Sequence, residues 1–289
     1  MAKYIVSADW HLRDDRPLCR KDVDWLGQQE DDLTFIVNEA NKRDAELIIA
    51  GDVYDVPRVS PSVSNMLVRV LSRATVPIHI IAGNHSLQYH NQDNLMNSSI
   101  GALSLLENLG IRYYECVDNS KDGIFEHAVQ ISDEITIIHT LTFPNKDLVP
   151  FGAKAQAPED LFKKYPTKYL ITGDYHRNFL ASENDRLLIN PGCLNIQTAD
   201  MLDYQPVIYY LDTDASFVDV ISIPINRELL TDNHLTEKKE RDNRITSFIE
   251  TVKKHGMISL SFEDNLKKAI TLNNVDSNVV SIIEEIDND

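Results

Sequence analysis

An aspartate and a histidine two residues apart, Asp9-Trp10-His11, stand directly behind the apolar run Tyr4–Ser7. Four more segments place comparable groups at the ends of comparable runs. Gly51-Asp52-Val53-Tyr54-Asp55 follows Leu47–Ala50, and Gly83-Asn84-His85 follows Ile78–Ala82. His139 closes Ile135–His139, and Gly173-Asp174-Tyr175-His176 follows Tyr169–Thr172. Carboxylate, imidazole and amide oxygen together suit borderline divalent metals such as manganese, iron or zinc better than calcium. A bridging carboxylate can hold two such ions about 3.5–4 Å apart, where they polarise a phosphoryl group and lower the pKa of bound water. On an extended chain Asp9 and His11 face the same way and can grip one ion together, and Asp174 and His176 repeat that spacing. Gly51 and Gly83 allow sharp turning and close approach just past a strand end. Taken singly these features are weak, because an Asp-x-His pair arises by chance and Gly-Asp after a strand is commonly a turn. The chemistry is read from all five occurring in order, each closing a strand.

The elements that must position them follow from periodicity. The runs named above, with Val207–Leu211 and Val218–Ile223, are short, apolar and rich in β-branched and aromatic residues, which predicts strands. Between the early ones, Leu33, Ile36, Val37 and Ala40 recur at helical spacing, as do Met66, Leu67, Val70 and Leu71, then Ile100, Leu103 and Leu106. Strand–helix–strand order in the first half implies a parallel sheet flanked by helices, and ligands bind such sheets beyond the carboxyl ends of the strands. The texture changes after Ile223-Pro224. Residues 1–225 read as the catalytic domain, 226–244 as a charged linker and 245–289 as a helical element. Its three stripes are Ile245, Phe248, Ile249 and Val252; Phe262, Leu266 and Ile270 behind a capping-box-like Ser261 and Asp264; and Val279, Ile282, Ile283 and Ile286.

Composition excludes several classes. No apolar stretch approaches the roughly 20 residues that cross a bilayer, and Met1–Val6 lacks the apolar core and cleavage site of a secretory signal. Three widely spaced cysteines, Cys19, Cys116 and Cys193, suggest neither a disulfide framework nor a zinc knuckle. A cytoplasmic protein is expected. The net charge of −17, spread through both parts of the chain, repels a polyanion. Any grip on nucleic acid must therefore come from metals, a local patch or a partner.

The ordered motif set resembles that of the calcineurin-like metallophosphoesterases. Over roughly the first 225 residues the chain is similar to the SbcD-type DNA repair exonucleases within that superfamily. The finer likeness lies in Gly51–Asp55 with Ser60-Pro61, in Asn190-Pro191-Gly192-Cys193-Leu194, and in Gln205–Thr213. The resemblance implies an α/β fold, a β-sandwich flanked by helices, with a small helical C-terminal appendage. It implies two divalent ions, manganese first and magnesium second. Asp9, His11 and His176 would hold one, Asn84, His139 and Asp174 the other, and Asp52 would bridge them. His85 would be a non-ligating residue that orients the scissile phosphate or protonates the leaving oxygen, a role suited to a group titrating near neutrality. The implied activity is metal-dependent hydrolysis of DNA phosphodiester bonds by a two-metal-activated hydroxide, in repair, recombination or replication. Implied partners are DNA, a second copy of the chain and an SbcC-like ABC ATPase held by the C-terminal region.

Two positions depart from that pattern. Asp174 stands where the family has histidine, and Ser86 stands where it has aspartate, leaving His85 without the usual nearby carboxylate. The chain also looks short for the family's DNA-binding cap. Bland readings stand beside several residues. His79, inside a strand, reads as structural, whereas His90 lies near the Asn-His motif as a candidate DNA contact. Arg13, Arg16, Arg20 and Lys21 can meet a phosphate backbone or belong to a solvated loop interrupted by Asp14 and Asp15. The helices near Leu67 and Ile100 pack on the sheet and, by the resemblance, form a dimer interface suited by Met66 and Met96. Two rival functions remain: a stand-alone phosphodiesterase or phosphatase acting on small nucleotides, and a catalytically weak scaffold.

Overall fold

The computed structural model describes residues 2–254 and 262–275. It divides into two compact units, Met1–Thr231 and Asp232–Asp289. The first unit is built on two six-stranded sheets. One contains β1 (Lys3–Ser7), β2 (Glu46–Ile49), β3 (Ile78–Ile80), β4 (Ile111–Tyr113), β11 (Val207–Asp212) and β12 (Phe217–Ser222), in the order β12-β11-β1-β2-β3-β4. The other contains β5 (Val117–Asp118), β6 (His127–Gln130), β7 (Ile135–His139), β8 (Tyr169–Gly173), β9 (Phe179–Glu183) and β10 (Arg186–Asn190), in the order β5-β6-β7-β8-β10-β9. β1 to β4 run parallel, as do β7, β8 and β10, so each sheet sends several carboxyl ends in one direction.

Alternation along each strand assembles the layers. Tyr4 and Val6 of β1, Ile48 of β2, Ile135 and Ile137 of β7 and Ile171 of β8 meet between the sheets. Their neighbours Ile5, Leu47 and Ile49 face outward onto α1 (Trp25–Arg43) and α2 (Pro61–Leu71), meeting Leu33, Ile36, Val37, Met66 and Leu67. Ile138, Leu170 and Leu188 face α4 (Pro158–Lys164) through Leu161 and Phe162. Each fully buried aliphatic side chain contributes roughly 1.5–3 kcal/mol. A one-residue slip would exchange the two faces, so the register that aims the strand ends is fixed by packing. This is the expected sandwich flanked by helices.

Several elements differ from the sequence reading. The third helix shrinks to α3 (Ser99–Leu103), with Glu107–Leu109 forming a separate 3-10 turn. β4, β5, β6 and β9 are too short or too polar to announce themselves, and β9 forms a hairpin with the apolar β10, turned by Asn184 at φ 57°. The first unit extends to Thr231 because the segment after Ile223 returns to the first motif loop. There Lys21 N–H donates to Leu229 O at 2.7 Å and Thr231 N–H to Cys19 O at 2.9 Å. Most of the charged stretch 226–244 lies inside α5 (Asn233–Lys254), since Glu, Lys and Arg are good helix formers. α6 (Phe262–Leu272) carries the second C-terminal stripe, and the third stripe, Val279 to Ile286, lies outside the described residues. Met66 is 1% exposed within the core, while Met96 is 63% exposed. Among the described residues no helix is long and apolar enough to cross a membrane.

The arginines after the first motif are committed elsewhere. Arg20 is buried, forms a two-pronged ion pair with Asp22 at 2.7 and 2.9 Å, and lies over the Trp25 ring. Arg13 pairs with Asp15 and Asp55, and Arg16 donates to the Asp22 carbonyl. Arg20→Ala strands Asp22 as an uncompensated buried charge, so stability should fall by about 3–5 kcal/mol in denaturant melts, with specific activity of the folded fraction unchanged. Unaltered stability with weakened DNA binding would instead return Arg20 to the phosphate backbone.

Candidate metal centre

The five motifs meet at one end of the sandwich, where the carboxyl ends of β1, β2, β3, β7 and β8 face each other across the two sheets. β1 stops at Ser7, and its chain continues as a loop laid along the loop after β2. Asp9 N–H donates to Gly51 O, His11 N–H to Asp52 O and Leu12 N–H to Val53 O at 2.9–3.2 Å. Asp9 and His11 are not the extended pair that their spacing implies: both occupy the left-handed region, at φ 48° and 44°. Asp52 (φ 43°) and Asp174 (φ 87°) do so as well. L-residues adopt this region at a cost of order 1–3 kcal/mol each, so the surrounding packing holds the cluster in shape.

Close approach requires the glycines. A Cβ on Gly51, whose φ is +97°, would fall within the His139 ring, and one on Gly83 would strike the Asp52 carboxylate.

Two sets of donors converge. Nε2 of His11 lies 3.1 Å from Nε2 of His176, and the Asp9 carboxylate joins them within 4.8 Å. His139 donates through Nδ1 to the Ala50 carbonyl at 2.9 Å, which turns its Nε2 toward Asn84 Oδ1 at 3.0 Å and Asp52 Oδ2 at 3.2 Å. The same Asp52 Oδ2 lies 3.9 Å from His11 Nε2, between the two sets. Two ligands bound to one ion at about 2.0–2.2 Å stand roughly 3 Å apart, which is the spacing found. Asp9 and Asp52 are fully buried, and Asp52 Oδ2 and His11 Nδ1 make no hydrogen bond. Buried carboxylates and unpartnered oxygens are costly unless a cation compensates them, so this donor set fits a pair of divalent ions.

Burial raises the Asp174 pKa, and the charges of His139, Asp52, His85 and His11 act on its carboxylate. Its carboxylate enters none of the clusters of candidate ligands among the described residues. Its backbone N–H instead donates to both Asp9 oxygens, at 3.0 and 2.9 Å. His85 sits at the exposed rim, its ring edge-on to His11 at 4.9 Å, with its backbone N–H donating to Asp52 Oδ1 at 2.9 Å. Ser86 is fully buried and clasps Tyr54 through both backbone groups at 3.2 Å. A carboxylate does lie near His85, contrary to expectation: Asp55 joins His11 and His85 in a third cluster. His90 donates to the Asn84 carbonyl at 2.6 Å and so braces that loop, and His79 bonds Glu46 and Tyr114 inside the sheet.

Residues without an assigned role in the sequence form the brace. Asn190, fully buried, donates to the Tyr175 and Arg177 carbonyls at 2.7 and 3.0 Å on either side of His176. Cys193 N–H donates to His176 O and Leu194 N–H to Asp9 O, at 3.0 and 3.1 Å, and Gln197 donates to His11 O at 3.0 Å. A polar Asn closing an apolar strand, followed by Pro-Gly, was the available signal.

With fold and donors in place, the family follows: the chain belongs to the calcineurin-like phosphoesterases, whose family model matches residues 2–178. Phosphoester hydrolysis at a metal centre is the chemistry of that class. Among solved structures, the chain is similar to a novel archaeal phosphodiesterase at 15% identity and TM-score 0.43, covering 76% of this chain and 99% of that one. It is also similar to a conserved uncharacterized protein of Streptococcus pneumoniae TIGR4, at 14% identity, TM-score 0.38 and coverage of 80% and 94%. Vps29 from Entamoeba histolytica gives 14%, 0.37 and coverage of 78% and 99%. Likeness of this size carries no statement about activity. No curated protein matches the chain.

Protonation opposes metal binding at this centre. Burial lowers the His139 pKa, but the adjacent Asp52 and Asp9 outweigh it and raise it to about 10. Burial likewise works against His11, yet Asp55, Asp52 and Asp9 carry it above its usual value. Burial lifts Asp9 to about 7, and lowers His176 to about 4 with help from His11. Burial also acts to raise Asp52, but the neighbouring histidines hold it below the usual carboxylate range. Near neutrality His139 therefore carries a proton that an incoming cation must displace. Manganese binding at pH 7 should release one or more protons and tighten as pH rises, as read by calorimetry in buffers of different ionisation heat. Binding without proton release would contradict this.

Proposed function

We propose that the chain is a metal-dependent DNA nuclease that hydrolyses phosphodiester bonds with two ions held by Asp9, His11, Asp52, Asn84, His139 and His176. The observation that carries this reading is the convergence of two donor sets on one buried oxygen that makes no hydrogen bond, Asp52 Oδ2, on the carboxylate that also accepts the backbone N–H of the exposed His85. Divalent ions bound there polarise a phosphoryl oxygen and lower the pKa of a bound water. The protein's own part is positional. Asp52 Oδ1, tied to the backbone N–H groups of His85 and Ser86 at 2.9 and 3.3 Å, points Oδ2 into the centre. Asn190 and the Pro191–Leu194 turn fix the loops carrying His176 and Asp9. His85, at the rim, reaches the scissile phosphate and donates a proton to the leaving oxygen.

DNA as substrate, with manganese as the ion, is supported by the resemblance of Gly51–Asp55, Asn190–Leu194 and Gln205–Thr213 to the SbcD-type exonucleases. The charge of −17 argues that such a chain does not hold DNA alone. An SbcC-like ABC ATPase supplies the positive surface in this reading, with a second copy of the chain completing a dimer. The C-terminal unit offers a docking stripe, since Ile245 and Ile249, four residues apart on α5, are exposed at 51% and 45%.

The purified protein with manganese should degrade linear duplex DNA. His85→Ala should lower the rate roughly 10²–10⁴-fold, as expected for loss of a general acid, while both ions still bind. Hydrolysis of small phosphodiesters with DNA left intact would replace the nuclease reading with a small-nucleotide phosphodiesterase. No turnover on any phosphoester would leave a scaffold.

A further inference from the structure

Strand register gathers three aromatic residues around the metal centre on the side of the second sheet. His139 closes β7 and stands opposite His127 of β6 on one side and Gly173 of β8 on the other. Phe125 lies two residues before His127 and Tyr175 two residues after Gly173, so both reach the same rim and flank His139. Phe143 enters from the loop that follows β7. The Phe125 and His139 rings meet edge-on at 6.0 Å and 79°, and Phe143 packs on Tyr175 at 4.8 Å and 48°.

Half-exposed aromatic rings are ordinarily the margin of a core. These three are half-buried, yet among the described residues none packs into any of the four apolar cores. Phe179, edge-on to Tyr175 at 5.8 Å, anchors the pair on the core under α4. The backbones that carry the rings are fixed. Phe143 N–H donates to Gln156 O at 3.0 Å, and Gln156 N–H to Leu141 O at 2.9 Å. The Gln156 side chain donates to Glu126, the residue after Phe125, and that buried carboxylate also accepts from Lys164 and the Tyr165 hydroxyl. Thr140, next to His139, donates to Phe125 O at 2.7 Å, and Asn190 donates to Tyr175 O at 2.7 Å. A surface held this way loses little freedom when a flat ligand settles on it.

Resting on the phosphodiesterase reading of the centre, we propose that Phe143 and Tyr175, with Phe125 across His139, form a stacking subsite for the nucleobase next to the scissile phosphate. A phosphate at the centre lies beside His139 and His176, so the base attached to it meets rings carried on the same loops. Stacking accepts any base, because every base has a π-face. It also needs no positive charge, which suits a chain of net charge −17. A base can stack only when unpaired, so the subsite favours single strands and frayed ends over the interior of a duplex.

The test uses 2-aminopurine, a base whose fluorescence falls on stacking. It is placed in a single-stranded oligonucleotide with a cleavage-resistant phosphorothioate backbone, or supplied as the deoxynucleoside monophosphate. Both probes are titrated into manganese-loaded protein, and wild type should quench their fluorescence. Phe143→Leu and Tyr175→Leu should each weaken binding roughly 5–150-fold, equivalent to about 1–3 kcal/mol for one stacked base. Tyr175→Phe keeps the ring and should restore the quenching and most of the affinity. Exchanging the base beside the scissile phosphate for an abasic residue should cost wild type a similar factor and the leucine variants little. Two leucine variants cover misfolding of either one. Quenching that persists in both, or an abasic strand bound by wild type as tightly as the complete one, overturns the proposal. Quenching of the mononucleotide alone keeps the subsite and replaces the nuclease reading with a small-nucleotide phosphodiesterase. Wild-type protein that cuts DNA yet quenches neither probe sinks the subsite and leaves the nuclease reading standing.

Discussion

A carboxylate buried at the junction of two sheets is the constraint from which the rest follows. Asp52 is fully buried, its Oδ1 takes backbone N–H groups, and its Oδ2 has no hydrogen bond while facing His11 and His139. Asp9 lies fully buried nearby, held by the Asp174 N–H. Negative charge concentrated away from water is stable only when paired. Protonated histidines or divalent ions can both do this, and they compete for the same lone pairs. The centre is built for exchange between those two partners, which makes acidity an antagonist of metal loading.

The sandwich holds this arrangement against a backbone preference for relaxing it. Four centre residues, Asp9, His11, Asp52 and Asp174, sit at positive φ, which is stable only where neighbours over-determine the conformation. Packing of alternating side chains into separate cores on each face of the sheets fixes strand register. The Asn190–Leu194 turn then ties loops from opposite sheets, bonding to the carbonyls of His176 and Asp9. In the proposed two-ion reading, that rigidity would keep both ions at a set spacing.

How much of this was readable before folding depended on whether the signal was local. The strands that carry the motifs are continuous apolar runs, so their ends, and the groups standing on them, were visible from residue order. The left-handed turns at Asp9 and His11 were not, because nothing in Asp-Trp-His distinguishes an extended pair from one looped against the chain after β2. The Asp174 main-chain N–H, which holds both Asp9 oxygens, has no counterpart in residue order. Arg20 looked available to a phosphate until tertiary packing placed it against Asp22 and Trp25. Asp55 was in plain sight within its motif, but its two histidine neighbours lie 44 and 30 positions away in chain order. Short polar strands such as β9 gain their partners from tertiary contact and leave little periodicity behind.

The central claim, that these donors enclose a pair of neighbouring cations, is tested most directly by anomalous diffraction from crystals grown with manganese. Two peaks about 3.5–4 Å apart are expected, one bordered by Asp9, His11 and His176, the other by Asn84 and His139, with Asp52 Oδ2 between them. A single peak, an empty map at this position, or density displaced into the His11, Asp55 and His85 cluster would contradict it.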